Sequence, residues 1–172
     1  MNSCPDLSEA VRCLDTYIDD PRSGLPEEVF LFASRVTPMV NVDLLIRDAR
    51  GRILLAWRDD VFSGQGWHIP GGIVRFQESL ATRIQETAIG EIGCEVAFDE
   101  TPVEFVELIK PGKQERSHFI TFVYDCRLPE SWDTGTQLIK AGEVGFLAWH
   151  ETFPENMIPV HHFYRKYFRQ GS

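Results

Sequence analysis

The chain has 172 residues, enough for a single domain with one sizeable core, and a formal net charge of −9. This acidic balance argues against nucleic-acid and membrane-surface partners, so an anionic ligand would need a local positive field. Four widely separated cysteines favour reduced thiols over a zinc site, and no apolar run reaches membrane-spanning length. The composition predicts a soluble cytoplasmic domain.

Residues 1–24 are predicted to form a helical extension of the main domain. Leu7, Val11 and Leu14 recur at helical spacing, and the Asp-Asp-Pro sequence at 19–21 then ends the helix.

The rest of the chain, residues 25–172, is predicted to form the main domain and to begin with a helix at Pro26. Proline suits a first helical turn, and Glu27 and Glu28 favour the positive end of the helix dipole. Residues 29–32 are all apolar, which predicts a buried segment, packed against a second subunit in a homodimer.

From Met39 the pattern changes to the period-two alternation of a strand. Residues 48–51 form a turn that predicts a hairpin with a partner strand over 52–57. A helix is predicted over 79–92, and the remaining predicted elements are three strands and a terminal helix, at 103–109, 117–126, 144–149 and 156–168. This order predicts an α/β domain with a mixed sheet.

The most informative stretch begins at Gly72 and reads GIVRFQESLATRIQETAIGEIGC. It resembles the Nudix box of nucleoside-diphosphate hydrolases, because five positions of the box pattern match without a gap: Gly72, Glu78, Glu91, Gly93 and Cys94. The resemblance implies an α/β/α sandwich with a mixed β-sheet and the box helix packed on it. It also implies a hydrolase that depends on Mg²⁺, with Mn²⁺ as an alternative.

The box departs from the family pattern at three positions. Glu86 stands where the family has arginine, Thr87 where it has glutamate, and Gly90 where it has the first acid of a pair. The family arginine pairs with the first box glutamate, so Arg75 or Arg83 would have to supply that charge here. Otherwise both glutamates are solvated surface acids.

Glu91 is the preferred candidate for a metal ligand. It lies on the same helical stripe as Ile84 and Ala88, where a carboxylate is costly unless a cation or hydrogen bonds compensate. It also matches the box glutamate that binds magnesium in the family. The alternative is a solvated side chain near the end of a helix.

Within the family, residues 25–94 most resemble the GDP-mannose mannosyl hydrolase branch. The resemblance lies in the sequences TPMVNVD at 37–43 and WHIPGG at 67–72. That branch releases a free sugar and a nucleoside diphosphate by displacement at the anomeric carbon.

The same resemblance implies roles for individual residues. Arg58 would contact phosphate, and Asp43 would be a catalytic and binding acid on the sugar side. The Gly72 carbonyl and the Glu91 carboxylate would hold the metal, with Glu91 thereby contributing to catalysis.

Three departures from this branch weaken the correspondence. Ile73 and Glu86 replace two arginines, which lowers the expected affinity for a diphosphate. The Gln-His pair that supplies a metal ligand and the catalytic base falls on Gly142-Glu143, by ungapped counting back from Trp149. Glu143 is therefore predicted as the base and as a second carboxylate ligand. An exposed acid at the start of a strand is the alternative.

Two further groups have open interpretations. His118 lies in the predicted strand and either contacts phosphate or is structural. Lys110, Lys113 and Arg116 form a basic cluster that either closes over a diphosphate or is a solvated loop.

The sequence as a whole predicts Mg²⁺-dependent hydrolysis of a nucleotide sugar of the GDP-mannose or GDP-glucose type. One alternative is a Nudix pyrophosphohydrolase, which attacks phosphorus. The other is a non-catalytic nucleotide-binding protein, favoured by the missing acids at 87 and 90.

Overall fold

The computed structural model describes residues 6–112 and 115–169. In these ranges the helices are α1 (Leu7–Asp15), α2 (Glu27–Val36) and α3 (Leu80–Ile92). The strands are β1 (Met39–Ile46), β2 (Ile53–Asp60), β3 (Gly64–His68), β4 (Gly71–Ile73), β5 (Ala97–Phe98), β6 (Glu104–Ile109), β7 (His118–Arg127) and β8 (Leu147–His150). Short 3₁₀ segments cover Pro21–Ser23, Thr134–Thr136 and Pro159–Tyr167, the last where a terminal helix was predicted.

The strands form two sheets, which confirms the expected mixed α/β architecture. The larger sheet has the order β4-β1-β7-β5, with β6 also paired to β7. β1 and β7 run parallel, whereas β4, β5 and β6 pair antiparallel with their neighbours, so this sheet is mixed. The smaller sheet is antiparallel, with the order β3-β2-β8.

The predicted turn at 48–51 forms, with the Asp48 amide donating a 3.1 Å hydrogen bond to the Arg52 carbonyl, but the predicted hairpin is wrong beyond it. One isolated bridge joins Arg47 to Ile53, after which β2 enters the smaller sheet. Leu54 and Leu55 are both fully buried, so neighbouring residues on β2 are covered on both faces. Alternation in the sequence predicts a strand but does not say with which strand it pairs.

β1 supplies side chains to two separate cores. Val42, Leu44 and Ile46 pack with α3, whereas Leu45 packs with Tyr164 from the 3₁₀ segment near the C-terminus. Because side chains alternate along a strand, Asp43 shares the face of Leu45. This alternation places a carboxylate between the sheet and the C-terminal segment.

The box helix forms as predicted and is capped at both ends. The Ser79 hydroxyl accepts a hydrogen bond from the Thr82 amide at 3.0 Å, and Gly93 ends the helix in the left-handed conformation, with φ of 86°. Ile84 and Ala88 are buried against the sheet. The helix is thereby fixed with its C-terminal turn beside β3 and β4.

The N-terminal elements pack less closely. α1 has no buried residue, and Asp6 caps it by accepting a hydrogen bond from the Ser8 amide at 2.6 Å. The predicted burial of residues 29–32 is wrong within one chain, since all four are half-buried or exposed. The homodimer stays a prediction, and residues 1–5 of the predicted extension lie outside the described ranges. No described helix is long and apolar enough to cross a membrane.

Candidate active site

A cavity of about 320 Å³ opens on the face of the larger sheet that carries Asp43. Five cationic side chains line it: Arg58, Arg75, Arg83, Lys110 and Arg116. In a chain with a net charge of −9, this concentration of cations is the local positive field that an anionic ligand requires.

Two of these cations lie close enough to repel each other. Burial lowers the pKa of Arg116, and the nearby Arg58 charge lowers it further. The Arg58 Nε atom lies 2.7 Å from an Asp60 carboxylate oxygen, so one acid offsets part of the repulsion. A bound anion would stabilise the pair further, since like charges in a low-dielectric site are costly unless compensated.

Arg116 is held in place by several contacts. Its backbone has a φ of 49°, its amide donates a 3.1 Å hydrogen bond to the Ser34 hydroxyl, and its guanidinium lies 4.8 Å from the Phe62 ring centre. On the same loop, Lys110 lies 5.5 Å from the centre of the Phe119 ring. Both members of the predicted basic cluster that the structure describes therefore face the cavity, and Lys113 lies outside the described residues.

Asp43 is the buried acid of the cavity. The Asn41 side-chain amide donates a 2.7 Å hydrogen bond to one carboxylate oxygen, and the Tyr164 hydroxyl donates to the other. Burial raises the pKa of Asp43 to about 7, while these two hydrogen bonds oppose the shift and the charge of Glu91 adds to it. A carboxyl group with this pKa exchanges its proton near neutral pH.

The C-terminal segment adds a second polar group to the cavity, His161. Its Nδ1 atom accepts a 3.0 Å hydrogen bond from the Ile69 amide. Burial lowers the pKa of His161 well below its ordinary value, and its electrostatic interactions with His68, Arg58 and Lys110 lower it further. Because Nδ1 is an acceptor, the neutral ring carries its proton on Nε2 and presents a hydrogen-bond donor.

The two box glycines, Gly71 and Gly72, lie in β4 and approach both β1 and α3 closely. A Cβ atom at Gly71 would lie 2.1 Å from an Asp43 carboxylate oxygen, and one at Gly72 would lie 2.3 Å from the Thr87 hydroxyl. Neither position has room for a side chain, which gives a physical reason for both glycines.

Glu91, near the C-terminal end of α3, contacts the first of these glycines. One carboxylate oxygen accepts a 3.3 Å hydrogen bond from the Gly71 amide, and the other lies 3.3 Å from the His68 Nε2 atom. The structure therefore brings Glu91 and Asp43 together on either side of Gly71, of which Asp43 and Gly71 line the cavity.

Arg83 on the box helix takes the role of the family arginine that is missing at position 86. Arg83 forms two hydrogen bonds with Glu78, at 2.6 and 2.8 Å, and both side chains are about nine-tenths buried. Burial alone would raise the pKa of Glu78, but the hydrogen bonds from Arg83 and from the Arg75 amide lower it. Glu86 is exposed.

A metal held by protein side chains alone does not fit this site. Among the described residues, no three His, Cys, Asp or Glu side chains cluster in a way that would hold a metal ion. The donor beside the box glycines is the Glu91 carboxylate, and next to Gly72 lies a buried Thr87 hydroxyl that has no hydrogen-bond partner among the described residues. This set suits a Mg²⁺ ion that takes most of its ligands from substrate phosphates and water.

Two of the predicted residues lie away from the cavity. Glu143 is exposed and accepts a 3.1 Å hydrogen bond from the Lys140 amide in a turn. His118 alternates with the cavity residues Phe119 and Thr121 on β7, so it faces the other side of the sheet, and it pairs with Glu107 at 3.1 Å.

Sequence reasoning missed His161 and Tyr164, which lie in an aromatic-rich stretch without a recognisable pattern. It also missed His68, although that residue lies inside the quoted WHIPGG sequence.

Comparison with known proteins gives a consistent result. The NUDIX domain family model matches residues 37–170. The low-salt glycan biosynthesis protein Agl8 of Haloferax volcanii is 31% identical over 138 residues, which cover 77% of this chain and 88% of that protein.

Solved structures with the same fold include a MutT NUDIX hydrolase from Burkholderia pseudomallei. It has a TM-score of 0.60 and 21% identity, over 76% of this chain and 97% of that one. A UDP-X diphosphatase has a TM-score of 0.56 and 17% identity, over 92% of this chain and 86% of that one. At these identities the likeness concerns the fold.

Proposed function

This chain belongs to the Nudix hydrolase family, and we propose that it hydrolyses a nucleoside-diphosphate sugar of the GDP-mannose or GDP-glucose type at the sugar anomeric carbon. The observation that carries the proposal is the cavity in which five cationic side chains surround one buried acid, Asp43. The name of the Haloferax relative refers to glycan biosynthesis, which accords with a sugar substrate.

The cationic side chains bind the diphosphate. Arg58 and Arg116 are the pair whose mutual repulsion a phosphate relieves, and Lys110 extends the positive surface along the loop. Charge-assisted hydrogen bonds of this kind are each worth roughly 1.5–3 kcal/mol. They also stabilise the negative charge that the leaving diphosphate gains as the glycosidic bond breaks.

Asp43 is the proposed general base. In its ionised form it accepts a proton from a water molecule as that water attacks the anomeric carbon, and the bond from this carbon to the phosphate oxygen breaks. The electron pair of that bond leaves with the nucleoside diphosphate. A base works best when its pKa lies near the working pH, which is the case for a carboxyl group at about 7.

His161 orients the reacting group. Its fixed tautomer presents Nε2–H, and burial keeps the ring neutral, so it acts as a hydrogen-bond donor and not as a second base. A sugar hydroxyl or the bridging phosphate oxygen is the matching acceptor.

Glu91 and the Gly72 carbonyl are the proposed protein ligands of a Mg²⁺ or Mn²⁺ ion that the phosphates bring with them. Such an ion neutralises phosphate charge when it is bound. Glu143 lies outside the cavity, so we assign it neither the base nor a metal ligand. His118 has no proposed contact with phosphate, because it faces away from the cavity.

Product analysis tests the proposal. A panel of nucleotide sugars is incubated with Mg²⁺, with and without chelator, and the products are separated by chromatography. Free sugar with nucleoside diphosphate supports attack at carbon, whereas sugar phosphate with nucleoside monophosphate moves the attack to phosphorus. Tight binding without turnover across the panel would instead indicate the non-catalytic alternative.

We also propose that the chain forms a homodimer through its N-terminal helices. The apolar face of α1 has no partner within the described chain, since Leu7 is 80% exposed, and Phe32 on α2 is 47% exposed. Sedimentation velocity measures the assembly directly, and a monomer at micromolar concentration would contradict it.

A further inference from the structure

A second cavity lies next to the cationic one and differs from it in character. Its volume is about 740 Å³, and its walls are mostly apolar. The N-terminal extension contributes Ile18, and Leu25 follows directly after it. α2 contributes Phe30, and the segment after the box glycines contributes Val74 and Phe76.

The two cavities adjoin each other. Ile73 and Arg75 line both of them. A Cβ atom at Gly24 would lie 3.9 Å from the Arg75 Nε atom, so the Arg75 side chain lies beside the extension. A ligand whose diphosphate occupies the cationic cavity can therefore place its next chemical group in the apolar one.

Two charged side chains, Arg75 and Asp15, line this mostly apolar cavity. Asp15, the last residue of α1, lines the cavity, and its carboxylate has no hydrogen bond or ion pair within residues 6–112 and 115–169. Two aromatic rings beside a carboxylate without a partner are typical of a site that binds a planar ring with hydrogen-bond donors. A hydrocarbon chain, such as an isoprenoid, has no donor to offer this carboxylate.

We propose that this second cavity, formed by residues of the extension and the segment after the box glycines, binds the nucleobase of the substrate and selects guanine through Asp15. This proposal rests on the proposed function. Phe30 and Phe76 provide stacking faces for the base. Guanine has two adjacent donors, the ring N1–H and the exocyclic amino group, which match the two oxygens of one carboxylate. Adenine has no such pair.

The same placement assigns a function to the extension. Residues 15–25 complete a substrate site that the sheet and the box leave open. Base selection thus depends on a segment outside the stretch that matches the family model, residues 37–170.

Equilibrium binding of nucleoside diphosphates tests the proposal. GDP, IDP and ADP are titrated into the full chain by calorimetry, with pyrophosphate as the probe that lacks a base. IDP differs from GDP only by the missing amino group. The wild type is expected to bind GDP about tenfold more tightly than IDP, and more tightly still than ADP.

Asp15→Asn is the diagnostic variant, and Asp19→Asn is its matched control. Asp19 is also an exposed acid of the extension but does not line the cavity. Asp15→Asn is expected to lower GDP affinity about tenfold and to bring the GDP/IDP ratio close to one, whereas Asp19→Asn keeps the wild-type ratio. Phe76→Ala is expected to weaken all three nucleotides and to leave pyrophosphate unchanged.

The results that would contradict the base site can be distinguished from those that would contradict the proposed function. If the wild type binds pyrophosphate but does not discriminate among the bases, or if Asp15→Asn keeps the GDP/IDP ratio, the base site is refuted and the proposed function stands. If neither pyrophosphate nor any nucleotide binds, the proposed function itself fails. A changed oligomeric state of Asp15→Asn with unchanged GDP affinity would assign the cavity to a second copy of the chain and refute the proposal.

Discussion

The candidate active site joins two walls that differ in what they contribute. On the box wall, Thr87 and Gly90 stand where the family pattern has acids, and Glu91 is the box acid that contacts Gly71. On the sheet wall, β1 and the C-terminal segment hold Asp43 with two hydrogen bonds. Loss of metal-binding acids thus accompanies a cavity lined by five cations.

This contrast shows how phosphate binding can persist while the metal site becomes smaller. Cationic side chains and a metal ion both neutralise phosphate charge, so the cations that line the cavity can supply part of what a smaller metal site does not. The base is a separate requirement, which a buried carboxyl group on the sheet satisfies. Substitutions on each wall separate these two contributions.

The largest effect is expected at Asp43. Asp43→Asn keeps the hydrogen bond from Tyr164 but cannot take a proton, so kcat should fall by about 10²–10⁴. Steady-state kinetics on the preferred nucleotide sugar measures this loss. Activity within threefold of the wild type would remove Asp43 as the base.

The second effect concerns stability on the box wall. Arg83→Met leaves the buried Glu78 carboxylate without its partner, which should lower the free energy of unfolding by about 3–5 kcal/mol. The double variant, with Glu78→Met added, should recover much of this loss, because it removes the unpaired charge. Denaturant unfolding measures both variants. An unchanged midpoint for Arg83→Met would show that the pair contributes nothing.

A smaller effect is expected at Arg58. Arg58→Ala should raise KM roughly 10–100-fold with a lesser effect on kcat, because the guanidinium holds phosphate in both ground and transition states. Asp59→Asn, a change at the neighbouring residue, is the control. An unchanged KM would place Arg58 outside the phosphate site.

The smallest effect is expected at Glu143. Glu143→Gln should change kcat by less than about twofold, because the exposed carboxylate lies outside the cavity. A loss comparable to that of Asp43→Asn would return the base to Glu143 and would require the turn at 140–143 to move toward the substrate.

Much of the fold could be predicted from the sequence, because helical and strand periodicities report local burial. The box helix and the strands β1, β6, β7 and β8 lie close to the predicted ranges. Strand pairing could not be predicted, since β1 and β2 separate into two sheets after one bridge.

The candidate site was predictable in part. The resemblance indicated Asp43 and Arg58, which the structure places in one cavity. Glu143 was located by counting without gaps, which holds only when loops keep their length. Tyr164 lies 121 residues from Asp43 in the chain, and no local pattern reports such a contact. Arg83 takes the role of the family arginine expected at position 86. This is possible because positions three residues apart, nearly one helical turn, lie on the same face of the helix.

The pH dependence of kcat/KM for the wild-type enzyme tests the central claim most directly. Ionisation of the free enzyme's base controls this parameter, so catalysis by Asp43 predicts a rise with pH and a midpoint near 7. Arg58→Ala should keep a rising limb while lowering its amplitude. A rate that is already constant above pH 5 would mean that a carboxylate with an ordinary pKa is the base, which would contradict catalysis by the buried Asp43.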